Sequence, residues 1–262
     1  MRLRLTLAYR GTHFHGWQEQ VEGLRTVQRE VRHALQQVVR HPVTVVGSSR
    51  TDAGVHAKGQ VARFDTHMTQ IPLEGMRKAL NAKLPVDVLA VRIDHAADDF
   101  DTIGDTIDKR YQYQIWTGDD RNLFLHDLAF HRRGVSDLAA MRAAAGNLVG
   151  THDFASFAKP GHGREHTVRT ITDCTVSRRG QRIVIGVEGT GFLWNQVRII
   201  AGTLAEVGRG KIDPDSIPDV LAAQDRTAAG PTAPAHGLFL QWIRHRTTSA
   251  KPATESADAT GG

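Results

Sequence analysis

One carboxylate in this chain stands where a positioned catalytic group would stand. Asp52 lies in Gly47-Ser48-Ser49-Arg50-Thr51-Asp52-Ala53-Gly54-Val55-His56-Ala57, two residues after an arginine and just before a small-residue turn. An aspartate so held can serve as a general base or form a covalent intermediate. Glycoside hydrolysis normally needs two carboxylates flanking the bond; this stretch supplies one, which favours rearrangement of a bond over its hydrolysis. Taken alone, Thr-Asp-Ala-Gly is also a turn sequence whose aspartate bonds its own backbone. The rest of the chain has to decide between the two.

A catalytic loop needs rigid elements on either side. Val43-Thr44-Val45-Val46 reads as a buried strand before Asp52, and Gln60-Val61-Ala62-Arg63-Phe64 as a strand after it. Met1 to Tyr9 alternates polar and apolar residues as a half-buried strand does. Apolar residues at 27, 31, 34, 35 and 38 mark one face of a helix over Val27–Val39, with Thr26 as its N-cap. Gly75 to Leu84 predicts a second helix, stopped by Pro85, and Val86 to Ile93 another strand. The order strand, helix, strand, strand, helix, strand is a split β-α-β pattern. The second half repeats that order: a strand over Lys109–Trp116, a helix capped by Ser136, strands over Val168–Ser177 and Arg182–Glu188 across a Gly180 turn, a helix over Phe192–Val207, and a strand over Gly237–Arg244. The expected fold class is α+β, with two ferredoxin-like halves, 1–104 and 105–246, whose antiparallel or mixed sheets flank a central cleft. The small, polar tail 247–262 reads as disordered.

Composition narrows the partner. The chain has 262 residues, 40% hydrophobic and 23% charged, with a formal charge of +5 and a pI near 9.6. That balance suits an anionic partner such as RNA or DNA. Cys174 is the single cysteine, so there is no internal disulfide framework. No apolar run is long enough to span a membrane, and the start has no signal-like core, which makes the cytoplasm the expected location. Fourteen histidines invite a metal hypothesis through His13-x-His15 and His162-Gly163-Arg164-Glu165-His166. Neither pair comes with the third ligand that catalytic zinc requires, and no metal is expected. Gly208-Arg209-Gly210-Lys211 fails as a phosphate loop, because Ala205 and Ile212 occupy positions that need glycine and a hydroxyl.

Two further residues stand out. Tyr111 in Lys109-Arg110-Tyr111-Gln112-Tyr113 sits in an alternating strand, where core packing is the plain reading. Arg198, within Gly191-Phe192-Leu193-Trp194-Asn195-Gln196-Val197-Arg198-Ile199-Ile200, is an arginine among apolar helix residues. It either snorkels to the surface or pairs with a buried acid.

These three segments, in this order, resemble the tRNA pseudouridine synthase A family. Weaker matches at Tyr9–Gln18, Gly150–Phe154, Thr167–Ile171 and Thr227–Leu238 extend the resemblance over residues 1 to about 245. It implies a cofactor-free isomerase with the pseudouridine synthase fold. Such an enzyme turns uridine into pseudouridine in the tRNA anticodon arm, at tRNA positions 38 to 40, and works as a homodimer. It also implies roles: Asp52 as nucleophile, Arg50 as the side chain that keeps the target nucleotide flipped out, Tyr111 as the aromatic of the uracil pocket and Arg198 as the partner that holds Asp52 charged and oriented. Thr51 and His56, with Arg50 and Tyr111, fall to substrate binding. Attack at C1′, attack at C6 and initial loss of the C2′ proton all remain open as routes. The alternatives are a non-catalytic RNA-binding protein on the same fold, and an N-glycosidase that would release uracil. One departure from the family is the acidic stretch Phe100-Asp101-Thr102-Ile103-Gly104-Asp105-Thr106-Ile107-Asp108, where neutral or cationic residues are usual. Either it points away from RNA or substrate choice has shifted.

Overall fold

The structure, a computed structural model, describes residues 1–21, 23–161 and 166–246. The tail 247–262 and most of the second histidine pair lie outside the described residues. Strand β1 (Arg2–Tyr9) buries Leu3, Leu5, Leu7 and Tyr9 on one side, as its alternation predicts. Helix α1 (Val27–Val39) lays Val27, Val31, Ala34, Leu35 and Val39 into the core. Each buried Val or Leu contributes about 1.5–3 kcal/mol. Thr26 takes the N-cap position with extended dihedrals, but its hydroxyl makes no capping bond. Strands β2 (Val46–Gly47), β3 (His56–Asp65) and β4 (Val88–His95) follow, with α2 (Leu73–Asn81) between β3 and β4. The second half consists of β5 (Thr106–Trp116), β6 (Phe130–His131), α3 (Leu138–Gly146), β7 (Gly150–Asp153), β8 (Val168–Arg179), β9 (Arg182–Gly189), α4 (Gln196–Val207), α5 (Ile217–Ala223) and β10 (Leu238–His245).

The fold is α+β, and its strands form one continuous sheet in the order β4-β1-β3-β10-β5-β9-β8-β7, with β2 on β3 and β6 on β5. The sheets expected of the two halves are joined edge to edge into this one mixed sheet. The reason is β10, which pairs parallel with β3 (Phe239 opposite His56) and antiparallel with β5 (Leu238 opposite Tyr113). It covers two strand edges that would otherwise lie open. Backbone hydrogen bonds through β10 therefore join β3 to β5. Among the described residues no helix is long and apolar enough to cross a membrane.

Several local expectations were shifted, and the second half adds β6, β7 and α5 to the expected order. Val43 and Val45 are buried but lie outside any strand; the Gln28 side chain bonds the Val45 carbonyl at 2.7 Å in place of a ladder partner. The N-cap of α3 is Asp137, which accepts from Ala140 N, rather than Ser136. Helix α2 runs over Leu73–Asn81 rather than Gly75–Leu84. Helix α4 begins at Gln196, four residues late, because Asn195 adopts a left-handed φ of 62°. Phe192, Leu193 and Trp194 are thereby kept as a loop.

The acidic stretch is largely consumed by its own surroundings. Asp101 accepts from Ile103 N, and Asp105 accepts from Asp101 N. Asp108 is only 5% exposed and pairs with Arg244 across the β5–β10 ladder. Ile103, Thr106, Lys109 and Tyr111 line the cavity described below, whereas Asp101, Asp105 and Asp108 are not in its lining. This favours the first of the two readings, in which the carboxylates point away from RNA.

Candidate active site

The Asp52 loop is a hairpin connection between β2 and β3 that is tied down at nearly every residue. Ser48 N bonds Val61 O at 2.8 Å, and the Gln60 amide bonds both the amide and the carbonyl of Ser49. The Thr51 carbonyl accepts from Trp17 N at 3.0 Å, and the Thr51 hydroxyl meets Tyr9 Oη at 2.8 Å. Val55 N closes a turn onto Asp52 O at 3.1 Å, with Gly54 at a φ of 80° that side chains rarely adopt. The Asp52 side chain is thus carried on a braced turn.

Each oxygen of that side chain meets a donor from the segment 194–198. Trp194 Nε1 lies 3.1 Å from Asp52 Oδ1, and Arg198 Nη1 lies 3.4 Å from Asp52 Oδ2. Arg198 is itself fixed: Nε donates to Ala233 O at 2.8 Å and Nη1 to Asn195 Oδ1 at 2.9 Å. Gly202 makes this possible, because a Cβ there would sit 1.8 Å from Pro231 O and push the 231–233 segment off α4. The arginine read as a possible buried partner is therefore paired rather than snorkelling. Trp194 is 43% exposed, and the Lys159 ammonium sits 4.0 Å from its ring centre.

Asp52, Arg198 and Trp194 border a cavity of about 930 Å³, large enough for a nucleoside. Tyr111 is in its lining, with Phe192 edge-on at 5.5 Å and Ser49 Oγ 3.0 Å from its hydroxyl. Burial pushes the Tyr111 phenol up to about 12; the Ser49 hydrogen bond opposes that rise and the Asp52 charge adds to it. Four cations, Arg50, Lys109, Arg169 and Arg198, surround the single carboxylate in the lining. Such a field attracts a polyanion. A second cavity, of about 410 Å³, shares Arg50, Asp52 and Trp194 with the first, so Asp52 belongs to the wall between them. Arg50 is exposed and makes no ion pair among the described residues, Asp52 included.

A family profile described as tRNA pseudouridine synthase matches residues 6–102 and 144–245. The chain belongs to the tRNA pseudouridine synthase family. A relative from Bacillus pumilus (strain SAFR-032), named tRNA pseudouridine synthase A, is 44% identical over 242 residues, covering 92% of this chain and 97% of its own. One of the same name from Geobacter sulfurreducens is 42% identical over 242 residues, covering 92% and 98%. A third, from Moorella thermoacetica, is 42% identical over 244 residues, covering 93% and 99%. Asp52 and Arg198 fall in the two separate segments matched to the tRNA pseudouridine synthase profile, and Tyr111 falls between them.

Not every residue singled out in the sequence reaches the cavity. Arg50, Asp52, Tyr111 and Arg198 line it together, as does Thr51, although the Thr51 hydroxyl is held by Tyr9. His56 does not. It is 1% exposed and stacks on Phe239 at 4.6 Å. Its Nδ1 accepts from Gly11 N at 3.0 Å, and its Nε2 faces the carbonyls of Asp127 and His236. No ring atom is left for a substrate, and the geometry gives His56 a bracing position instead. Trp194, Lys109 and Ser49 were quoted within motifs without being singled out.

The buried histidines set an acid limit on this framework. Burial, the largest influence on each, lowers His56, His236 and His245 below the ordinary imidazole value. Below about pH 6.5 the unfolded chain binds protons that the folded chain refuses, so stability rises with pH there. The melting temperature should be flat between pH 7 and 8 and fall progressively below about 6.5. A melting temperature constant down to pH 5 would contradict the assignment.

Proposed function

We propose that this chain converts uridine to pseudouridine in the anticodon stem-loop of tRNA, at tRNA positions 38 to 40, with Asp52 as the nucleophile. The observation that carries the reading is the carboxylate held at both oxygens, by Trp194 and Arg198, at the edge of a nucleoside-sized cavity floored by Tyr111. The reaction breaks the N1–C1′ bond and rejoins the sugar to C5 of the same base. Uracil leaves as a stabilised anion, so the protein needs no cofactor. It must extract the base, exclude water and supply the nucleophile. Arg50, which makes no ion pair among the described residues, is placed to occupy the space that the flipped nucleotide leaves. Tyr111 stacks or packs against the base, and Arg198 keeps Asp52 aimed at it. Thr51 serves by holding the loop against Tyr9.

The same reading places the protein in the cytoplasm as a homodimer in which one tRNA contacts both subunits. It treats 1–104 and 105–246 as two halves. Reaction of the modified tRNA with carbodiimide, followed by primer extension, tests the target positions. Stops confined to 38–40 are expected. Stops elsewhere would move the substrate within the family, and their absence would favour an RNA-binding protein without turnover.

A further inference from the structure

Three polar groups form a line at the cavity wall, and their chemistry fixes the direction of the first hydrogen bond. Lys109 Nζ lies 3.2 Å from Ser49 Oγ, which lies 3.0 Å from Tyr111 Oη. An ammonium has donors and no acceptor, so Ser49 Oγ accepts from Lys109. A serine hydroxyl has a single proton, and the Ser49 backbone is already bonded to Gln60. That leaves the Ser49 proton available to Tyr111 Oη, although by geometry either oxygen of that pair could be the donor. A phenol proton lies in the ring plane with two orientations, and Ser49 occupies one of them. With Ser49 as the donor, the Tyr111 proton takes the other, where no acceptor among the described residues meets it and the cavity lies open.

We propose that Ser49 is a positioning residue for the isomerisation: held by Lys109, it keeps the Tyr111 hydroxyl turned into the cavity as a donor to a carbonyl oxygen of the target uracil. The inference rests on the reading of the site given above. When the C1′–N1 bond breaks, its electron pair leaves with the base, and the charge spreads over N1, O2 and O4. A donor already aimed at O2 or O4 strengthens as that charge develops, and need not reorganise at that moment. A tyrosine is protonated at neutral pH, and burial pushes the Tyr111 phenol further up, to about 12, so its proton is available to donate. Without Ser49 the hydroxyl can turn away, and the cost falls on turnover more than on binding.

Single-turnover kinetics on tRNA test this. Ser49→Ala should lower kcat about tenfold, with KM changed less than about twofold, and Ser49→Thr should restore most of the rate. Made in a Tyr111→Phe background, Ser49→Ala should add nothing, because its effect runs through the missing hydroxyl. Where Tyr111→Phe is too slow to read, tRNA with sulfur in place of O2 or O4 of the target uridine supplies the comparison. The weaker acceptor should slow the wild-type enzyme several-fold more than Ser49→Ala. An equal loss in both backgrounds, or an equal sulfur penalty in both enzymes, overturns the proposal while leaving the isomerase reading intact. A wild-type protein that binds tRNA without isomerising it removes that reading, and this inference with it.

Discussion

Asp52→Asn is expected to abolish turnover, lowering kcat by at least about 10⁴-fold, while tRNA affinity stays within about threefold of wild type. The substitution keeps the size of the side chain on a loop whose bracing bonds come from the backbone, Thr51, Gln60 and Trp17 rather than from the carboxylate. The fold and the cavity should therefore persist. RNA affinity comes mainly from cations meeting phosphates, and none of those is removed. Rapid-quench turnover and filter binding on the same preparation separate the two effects. Turnover within about tenfold of wild type would mean that another group attacks the sugar or the base.

The second large effect is expected at Arg198. Its guanidinium spans Asp52, Asn195 and the Ala233 carbonyl at 3.4, 2.9 and 2.8 Å. Arg198→Met removes the cation and frees Oδ2, and kcat should fall about 10²–10³-fold, with a smaller change in KM. Arg198→Lys keeps the charge but has no planar fork to reach all three acceptors, so it should fall between the two. Thermal melting should show a loss for both variants, since the Ala233 carbonyl loses its partner. A methionine variant within about threefold of wild-type kcat would show that Trp194 alone orients the carboxylate.

The sequence made the local parts of this site readable and left the long-range parts hidden. Asp52 announced itself through its neighbours, and α1 has the bounds expected of it because an amphipathic face and a cap position are properties of consecutive residues. The insertion of β10 between β3 and β5 has no such local signal. Its parallel partner His56 is far away in the chain, and only the folded sheet brings the two together. Trp194 was missed for the same reason: its bond to Asp52 crosses 142 residues. His56 shows the converse. Its place in the motif suggested substrate contact, yet its ring is taken by Gly11, Asp127 and His236, which no spacing rule connects. The late start of α4 turns on the dihedral of one residue, Asn195, and that displacement is what leaves Trp194 on a loop beside the carboxylate.

The most direct test of the central claim is tritium release from tRNA labelled at C5 of uridine, with free uracil measured in parallel. Isomerisation joins C5 to the sugar and expels its hydrogen. The wild-type protein should therefore release tritium with no free uracil, and Asp52→Asn should release none. Uracil appearing in step with the reaction would make the protein a glycosidase. Retention of all tritium, with tRNA bound, would contradict catalysis at Asp52 altogether.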